Sequence, residues 1–387
     1  MRFVLIDTEN TRPMIEAIGV DADVLTVRGR SRGGTVPISS LNEIAIRNAT
    51  RRAIRYPLIY GHKPIRTAYR ALYRRKITRR YGAIEAQLAA GTGRTALVFN
   101  GFLAPNALVD LAAEQLGMQR LFVENGFFPD TLQADIAGIN GFSSLPRDAA
   151  FYDELSEASL GPEWPSEFVA RPSKITKKKD SGRFPDRFVF VPFQVPSDMQ
   201  ILALSPWISD MRHLLSEICG LARAHPHRNF VIKEHPSFPL SVQGSVPTPS
   251  NVYFANHTAT RFLTENCECL ITVNSTVGLE ALVQGKKVIT LGNAHYAVEG
   301  LTLQVNDTKS LNAAFEHVAG WQFNEKRRDA FVRFVFNRFL LRGSRQNPTA
   351  DTVHQLKERA ARIDEFSRLT CTKHNERWPN RGTFHKS

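Results

Sequence analysis

From residue 44 to residue 84 the chain has no aspartate and no glutamate. Twelve cations lie in that interval: Arg47, Arg51, Arg52, Arg55, Lys63, Arg66, Arg70, Arg74, Arg75, Lys76, Arg79 and Arg80, against a formal net charge of +13 for all 387 residues. The basic excess is therefore almost entirely local. Lys63, Arg66, Arg70 and Arg74 recur at helical spacing with Ile65, Tyr69 and Leu72 on a neighbouring face, which predicts a basic amphipathic helix. A solvated helix face is the plain reading of any charge run. The missing acids and the interleaved Tyr56, Tyr60, Tyr69, Tyr73 and Tyr81 favour an anionic partner instead: a membrane surface, a phosphorylated lipid or nucleic acid. No RNA- or DNA-binding motif accompanies the stretch, so no nucleic-acid partner is expected.

Long apolar runs are also missing. Even the most apolar segment, CLITV (269–273), is cut by Asn274 and Ser275, far short of the roughly 18 residues a bilayer span needs. The opening MRFVLIDTENTRP places Arg2, Asp7 and Glu9 where a signal peptide would need its apolar core, so the expectation is a mature protein that starts at residue 1. Cysteine is scarce. Cys219, Cys267, Cys269 and Cys371 are too irregular for a disulfide framework, and Cys267-x-Cys269 has no second pair to complete a zinc site. Reduced thiols in a cytoplasmic protein are expected. His225, His227 and His235 lack a carboxylate pattern, so no metal is expected, and GTGRT (91–95) lacks the spacing and lysine of a phosphate loop.

What is present is alternation. At 387 residues the chain exceeds the roughly 250–300 at which one core stops growing, so two domains are expected. Residues 2–7, 23–28, 96–101 and 120–125 read as strands, with a helix over 105–117; this is the grammar of a parallel sheet. The second half repeats it, with strands over 187–193, 229–236, 251–255, 269–275 and 287–292 and helices over 207–225 and 276–285. The polar, basic stretch 172–186 between two prolines reads as a linker. The expected organisation is a Rossmann-like domain over 1–171 carrying acceptor and catalytic residues, with a basic insert at about 44–84, then the linker, then a nucleotide-binding Rossmann-like domain over 187–308. Residues 309–387 are expected to form helices, including 329–343, and a frayed polar tail. Two doubly wound α/β domains in series predict a GT-B fold with a ligand cleft between them.

Two motifs end predicted strands of the second half. Lys233, His235 and Pro236 of KEHP, and Asn274, Ser275 and Thr276 of NST, fall where parallel sheets bind ligands, and NST leads into a helix start suited to a phosphate. Helix capping by Ser275 or Thr276 is the plain alternative. Gln194 and Asp198, just after another strand, are candidates to read a base or ribose, with capping the alternative for Asp198.

The blocks ENGFFPDTLQADIAGINGFSSLPRDAAFY, VPFQVPSDMQI with SPW after it, VIKEHP and TVNSTVGLEALVQGKKVITLGNAHYAVEGLT together resemble the bacterial capsule polysaccharide biosynthesis proteins of the KpsS/LipB type, from about residue 96 to 302. The first ninety residues match no motif of that family. The resemblance implies a retaining β-Kdo transferase: an enzyme that takes 3-deoxy-D-manno-octulosonic acid (Kdo) from CMP-β-Kdo and adds it to a phosphatidylglycerol-type lipid or its Kdo linker. The CMP-sugar would be the donor substrate with no further cofactor. It also implies work at the inner face of a Gram-negative cytoplasmic membrane, beside other capsule assembly proteins, and gives Lys63, Arg66, Arg70 and Arg74 an anionic glycolipid to bind.

The segment 121–154 carries six carboxylates. Retention by two displacements needs an enzymic carboxylate nucleophile, and the resemblance points to Asp135, with Glu124 as proton acceptor for the attacking hydroxyl or the residue that orients it. Asp130, Asp148, Asp153 and Glu154 are expected to serve turns and caps. Two rivals stand beside this reading: a CDP-glycerol-type phosphotransferase, which needs no such nucleophile, and a non-catalytic capsule assembly or export factor.

Overall fold

The computed structural model describes residues 1–26, 37–164 and 183–371. They form two compact units, one from Met1–Leu145 with the described residues from Val335 onward, the other from Pro146–Phe334. Each carries a six-stranded sheet.

In the first unit the strands are β1 (Phe3–Ile6), β2 (Ala22–Leu25), β3 (Thr95–Phe99), β4 (Gln119–Asn125), β5 (Thr131–Asp135) and β12 (Leu340–Arg342). Their order is β12-β5-β4-β3-β1-β2. FVLI and TALVF, the sequences of β1 and β3, are buried throughout, as parallel strands covered on both faces must be. One face packs Phe3, Leu5, Leu121 and Val123 against Met14 and Ile18 of α1 (Arg12–Ile18) and Leu356 of α14 (Ala350–Ala361). Helices α2 (Ile38–Arg55), α3 (Pro57–Tyr60), α4 (Lys63–Ala90) and α5 (Asn106–Gln115) complete this half of the chain, α5 lying against β3 and β4 and α4 against α5.

Two expectations need correction here. The sheet is not wholly parallel, because β5 runs antiparallel to both of its neighbours, β4 and β12. The segment after β4 reverses through Gly126, whose N–H donates to the Thr131 carbonyl at 2.7 Å. A Cβ on Gly126 would lie 2.6 Å from the Thr131 carbonyl carbon, so the hairpin closes only around glycine. The helix expected over 329–343 stops at Phe334: α13 (Glu325–Phe334) gives way to a π-turn over Val335–Phe339 and then β12. Leu341 joins the core of the first unit, while Arg359, 2% exposed, donates to the Ala134, Arg338 and Phe339 carbonyls.

The second unit has β6 (Val189–Pro192), β7 (Phe230–Lys233), β8 (Val252–Phe254), β9 (Cys269–Thr272), β10 (Lys287–Thr290) and β11 (Leu303–Gln304), all parallel, in the order β11-β10-β9-β6-β7-β8. That is the doubly wound order of a Rossmann fold. The helix expected from residue 207 begins at Met211, because Asp210 accepts from the His213 N–H at 2.8 Å and caps it; Leu214, Leu215, Ile218 and Leu221 of this helix, α9 (Met211–Ala224), face the sheet. Two doubly wound units in one chain make the GT-B class of fold.

The division of the chain differs from the expected one. Residues 146–164 belong with the second unit, since α6 (Ala149–Asp153) and α7 (Glu157–Leu160) pack on α13 through Phe151 and Tyr152 against Phe334 and through the ion pairs Asp153–Arg327 (2.5 Å) and Glu157–Arg333 (2.8 Å). The C-terminal stretch is likewise shared, with α12 (Thr308–His317) and α13 in the second unit and the described residues after Phe334 in the first. Most of the expected linker and the whole frayed tail lie outside the described residues. Among the described residues no helix is long and apolar enough to cross a membrane.

Candidate functional site

In the second unit β6 and β9 are neighbours, and the chain winds away from them in opposite directions, to β7 and β8 on one side and β10 and β11 on the other. Loops that follow such a pair diverge and leave a crevice at the carboxyl edge of the sheet. Gln194 follows β6 and Asn274 follows β9. Asn274 is fully buried and Gln194 nearly so. The Gln194 side-chain amide donates to Asn274 Oδ1 at 2.9 Å and its oxygen accepts from the Asn274 backbone N–H at 3.2 Å, while Asn274 Nδ2 donates to the carbonyls of Gln200 (2.8 Å) and Leu204 (3.2 Å). Buried amides must be satisfied, and these two satisfy each other. Gln194, a candidate to read a base or ribose, and Asn274, a candidate for the phosphate, clamp the two loops that frame the crevice.

KEHP divides the same way. Lys233, 5% exposed, donates through Nζ to the carbonyls of Asn256 (3.0 Å) and Thr258 (2.5 Å), so its charge is engaged by the loop between β8 and α10 (Thr260–Asn266). Glu234, which sequence reasoning passed over, is buried and accepts from the Val242 N–H (2.7 Å), the Ser241 hydroxyl (2.8 Å) and Asn256 (3.3 Å). Together they fix the loops that follow β7 and β8. His235 and Pro236 come next and are half-exposed. The Ser237 N–H donates to His235 Nδ1 at 3.2 Å, which in the neutral ring puts the proton on Nε2.

Ser275 is the cap of α11 (Thr276–Val283), accepting from the Val277 N–H at 3.3 Å, and Thr276 is the first helical residue. Asp198 likewise caps α8 (Met199–Leu202), accepting from the Gln200 N–H at 3.0 Å, and is exposed. The capping alternatives therefore describe both residues. Tyr296 was also missed: its hydroxyl donates to the Ser275 carbonyl at 2.5 Å, across Gly278 of α11. A glycine at the third position of a helix was the available signal.

In the first unit, Phe122 pairs with Asp135 and Glu124 with Gln133 across β4 and β5. Leu121, Val123, Leu132 and Ala134 occupy the core face, so Glu124, Gln133 and Asp135 share the other. Glu124 and Asp135 are diagonal neighbours, a relation that spaces residues by about 7–8 Å. Glu124, half-buried, accepts from Asn100 Nδ2 and from the Asn125 N–H, both at 2.9 Å. Asn100 sits in the left-handed region, φ 62°, in the turn after β3.

Asp135 is 1% exposed. Its Oδ1 accepts three backbone N–H groups, from Ala137 (2.8 Å), Ser144 (3.1 Å) and Gly138 (3.2 Å), and its Oδ2 accepts the Ser144 hydroxyl. Burial pushes its pKa up from the ordinary aspartate value, and the donors only partly oppose that. The carboxylate expected to attack a sugar is thus also the anchor of the turn over residues 137–144. Among the other acids of the segment, Asp148 caps α6, accepting from the Ala150 N–H at 3.0 Å, and Asp130 holds a turn with φ 50°.

Lys63, Arg66, Arg70 and Arg74 all lie exposed on the N-terminal half of α4, whose buried residues, such as Ile77, Tyr81 and Ile84, come later. Arg74 reaches Asn42 of α2 at 3.1 Å. Arg52 of α2 lies over the rings of Tyr60 (5.0 Å), Tyr56 (5.5 Å) and Tyr69 (5.5 Å).

Residues 169–345 match the family model described as "Capsule polysaccharide biosynthesis protein". Protein FixF of Sinorhizobium fredii (strain NBRC 101917 / NGR234) is 39% identical over 308 residues, covering 78% of this chain and 74% of FixF. The capsule polysaccharide export protein KpsS of Escherichia coli is 24% identical over 254 residues, 50% of this chain and 65% of KpsS. Among solved structures, the beta Kdo 2,7 transferase of Thermosulfurimonas dismutans KpsC is 16% identical with a TM-score of 0.47, over 86% of this chain and 89% of that one. The extent and identity of the FixF match show that this chain belongs to the family of FixF, and residues 169–345 are similar to the capsule polysaccharide biosynthesis proteins.

Proposed function

We propose that the protein is a glycosyltransferase that moves Kdo from CMP-β-Kdo to a phosphatidylglycerol-type lipid or its Kdo linker, with retention at the anomeric carbon. The observation that carries this reading is the placement of Glu124 and Asp135 as diagonal neighbours on one face of the β4–β5 pair. In the first step Asp135 Oδ2 attacks the anomeric carbon, and the bond to CMP breaks with its electron pair going to the phosphate oxygen. In the second, the acceptor hydroxyl displaces the aspartate ester and gives its proton to Glu124. Oδ2 is the oxygen suited to attack, because it is held by one hydroxyl of a half-exposed serine, whereas Oδ1 is held by three backbone N–H groups.

The leaving phosphate is assigned to the carboxyl edge of the second sheet, at His235 and the start of α11, where a ring N–H and the helix N-terminus favour an anion. Lys233, Gln194 and Asn274 support that edge from within. The acceptor is an anionic lipid at the inner face of the cytoplasmic membrane, met by Lys63, Arg66, Arg70 and Arg74.

The four donors on Asp135 favour one second reading, a CDP-glycerol-type phosphotransferase, in which Asp135 only shapes a turn. Incubation with CMP-Kdo and a lyso-phosphatidylglycerol, followed by mass spectrometry of lipid and protein, separates the two. Transfer by the parent, its loss by orders of magnitude in Asp135→Asn with CMP affinity kept, and survival in Ser144→Ala are expected. A folded Asp135→Asn that transfers normally refutes the nucleophile, and CDP-glycerol turnover in place of Kdo transfer establishes the rival.

A further inference from the structure

The basic insert ends in a tip that charge alone does not explain. α3 (Pro57–Tyr60) joins α2 to α4, and it carries Leu58 90% exposed and Ile59 55% exposed. Leu72 and Ile65 of α4 are 63% and 44% exposed. An exposed aliphatic side chain gains little from folding, and the consecutive pair Leu58 and Ile59 at a helix–helix turn marks a surface that is covered in use. The cations Arg55, Lys63, Arg66 and Arg70 flank these positions, and no acid occurs from residue 44 to residue 84.

The tip is held firmly. Tyr60 meets Tyr69 edge-on at 5.2 Å, Tyr69 stacks on Tyr73 at 5.6 Å, and the Arg52 guanidinium lies over Tyr56, Tyr60 and Tyr69. The Tyr73 hydroxyl donates to Asn48 of α2 at 3.1 Å, tying α4 to α2. The apolar residues therefore project from a fixed aromatic base and are not a loop waiting to fold inward. Exposed apolar side chains with cations and tyrosines near them in sequence, in a stretch without acids, match the layered chemistry of an anionic bilayer: acyl chains for Leu58 and Ile59, the interfacial belt for the tyrosines, head groups for the cations.

We infer that α3 is a membrane-insertion element, and that Leu58 and Ile59 enter the acyl region of an anionic bilayer while the surrounding cations bind its head groups. The inference rests on the anionic-membrane clause of the proposed function and adds to it a hydrophobic contact that salt does not screen.

The test uses the full chain and vesicles of phosphatidylcholine with or without phosphatidylglycerol. In Leu58→Trp, vesicles containing phosphatidylglycerol are expected to shift the added emission, taken as the difference from the parent, to the blue, and lipids brominated in the acyl chain to quench it. Leu58→Ser/Ile59→Ser is expected to bind these vesicles roughly tenfold more weakly, with a loss that persists at high salt. Salt-sensitive binding that the serine pair leaves unchanged, without blue shift or quenching, overturns insertion and leaves the electrostatic reading standing. If the parent binds neither vesicle, both fail, and the tip is a surface for a protein.

Discussion

Gly278 makes the sharpest demand on packing near the candidate phosphate site. An alanine Cβ there would lie 2.1 Å from the Tyr296 hydroxyl, 2.6 Å from Cζ and 2.9 Å from Cε2. The ring is fully buried and its hydroxyl is bonded to the Ser275 carbonyl, so it has no easy retreat. In an open helix Gly→Ala would stabilise by about 1 kcal/mol. Here overpacking costs about 1–3 kcal/mol, and losing the buried hydrogen bond costs about 1–3 kcal/mol more. The balance predicts that Gly278→Ala lowers unfolding stability by about 1–5 kcal/mol, against the helix propensity scale. Tryptophan fluorescence in urea suits the assay, because three of the four tryptophans, Trp164, Trp207 and Trp321, lie in the second unit.

Tyr296→Phe provides the control. It removes the nearest atom but keeps the ring, so Gly278→Ala should cost less in that background, with a coupling of at least about 0.5 kcal/mol. A midpoint for Gly278→Ala equal to or above that of the parent would show that Tyr296 moves freely and would refute the argument. An additive pair would place the cost elsewhere in α11.

Two further outcomes follow from the same unit. Asn274→Ala should destabilise by about 2–4 kcal/mol by leaving the Gln200 and Leu204 carbonyls and the Gln194 amide without their partner; a cycle with Gln194→Ala should show coupling of roughly 1 kcal/mol or more, and independence of the two would mean the clamp is not one unit. His295 is fully buried, and burial, followed by the charge of Arg147, holds its pKa well below the ordinary 6.5. A depressed histidine contributes stability that is present above about pH 6.5 and is lost as pH falls, by at most about 1.4 kcal/mol per pH unit. Urea midpoints at pH 7.5 and 5.0 should therefore differ less in His295→Gln than in the parent; equal slopes would remove His295 from the acid response.

Much of the architecture could be read from periodicity, because parallel strands covered on both faces are near-continuous apolar runs, as FVLI is and as TALVF and CLIT are apart from one threonine each. β5 escaped notice for the opposite reason. TLQAD alternates polar and apolar over only five residues, next to turn residues that look the same in a loop. β12 was hidden inside a run whose first half is a helix, and nothing local marks where the chain returns to the first unit. At the candidate site, residues acting through near neighbours were legible, such as the caps Ser275 and Asp198. Those acting across distance were not. Lys233 looks the same in sequence whether its ammonium meets a phosphate or the carbonyls of residues 256 and 258, which arrive more than twenty positions later.

The same separation bears on Asp135, and it makes the decisive variant a clean one. Its turn needs an oxygen that accepts the Ala137, Gly138 and Ser144 N–H groups, and an asparagine oxygen can accept them too. The asparagine amide can donate to the Ser144 hydroxyl where Oδ2 now accepts from it. What only the carboxylate adds is charge, and burial makes that charge costly, as its raised pKa states. A carboxyl with a raised folded-state pKa contributes most stability at low pH and loses it as pH climbs from the ordinary 3.8 through the raised value. Asp135→Asn should therefore gain stability relative to the parent over that window and hold the gain at neutral pH. Equilibrium urea unfolding at pH 3.5, 5 and 7.5 reads this directly. An Asp135→Asn protein that is at least as stable as the parent and yet transfers no sugar has lost chemistry and not shape. One that is less stable at pH 7.5 would mean that the ionised form holds the turn and that the charge serves the fold.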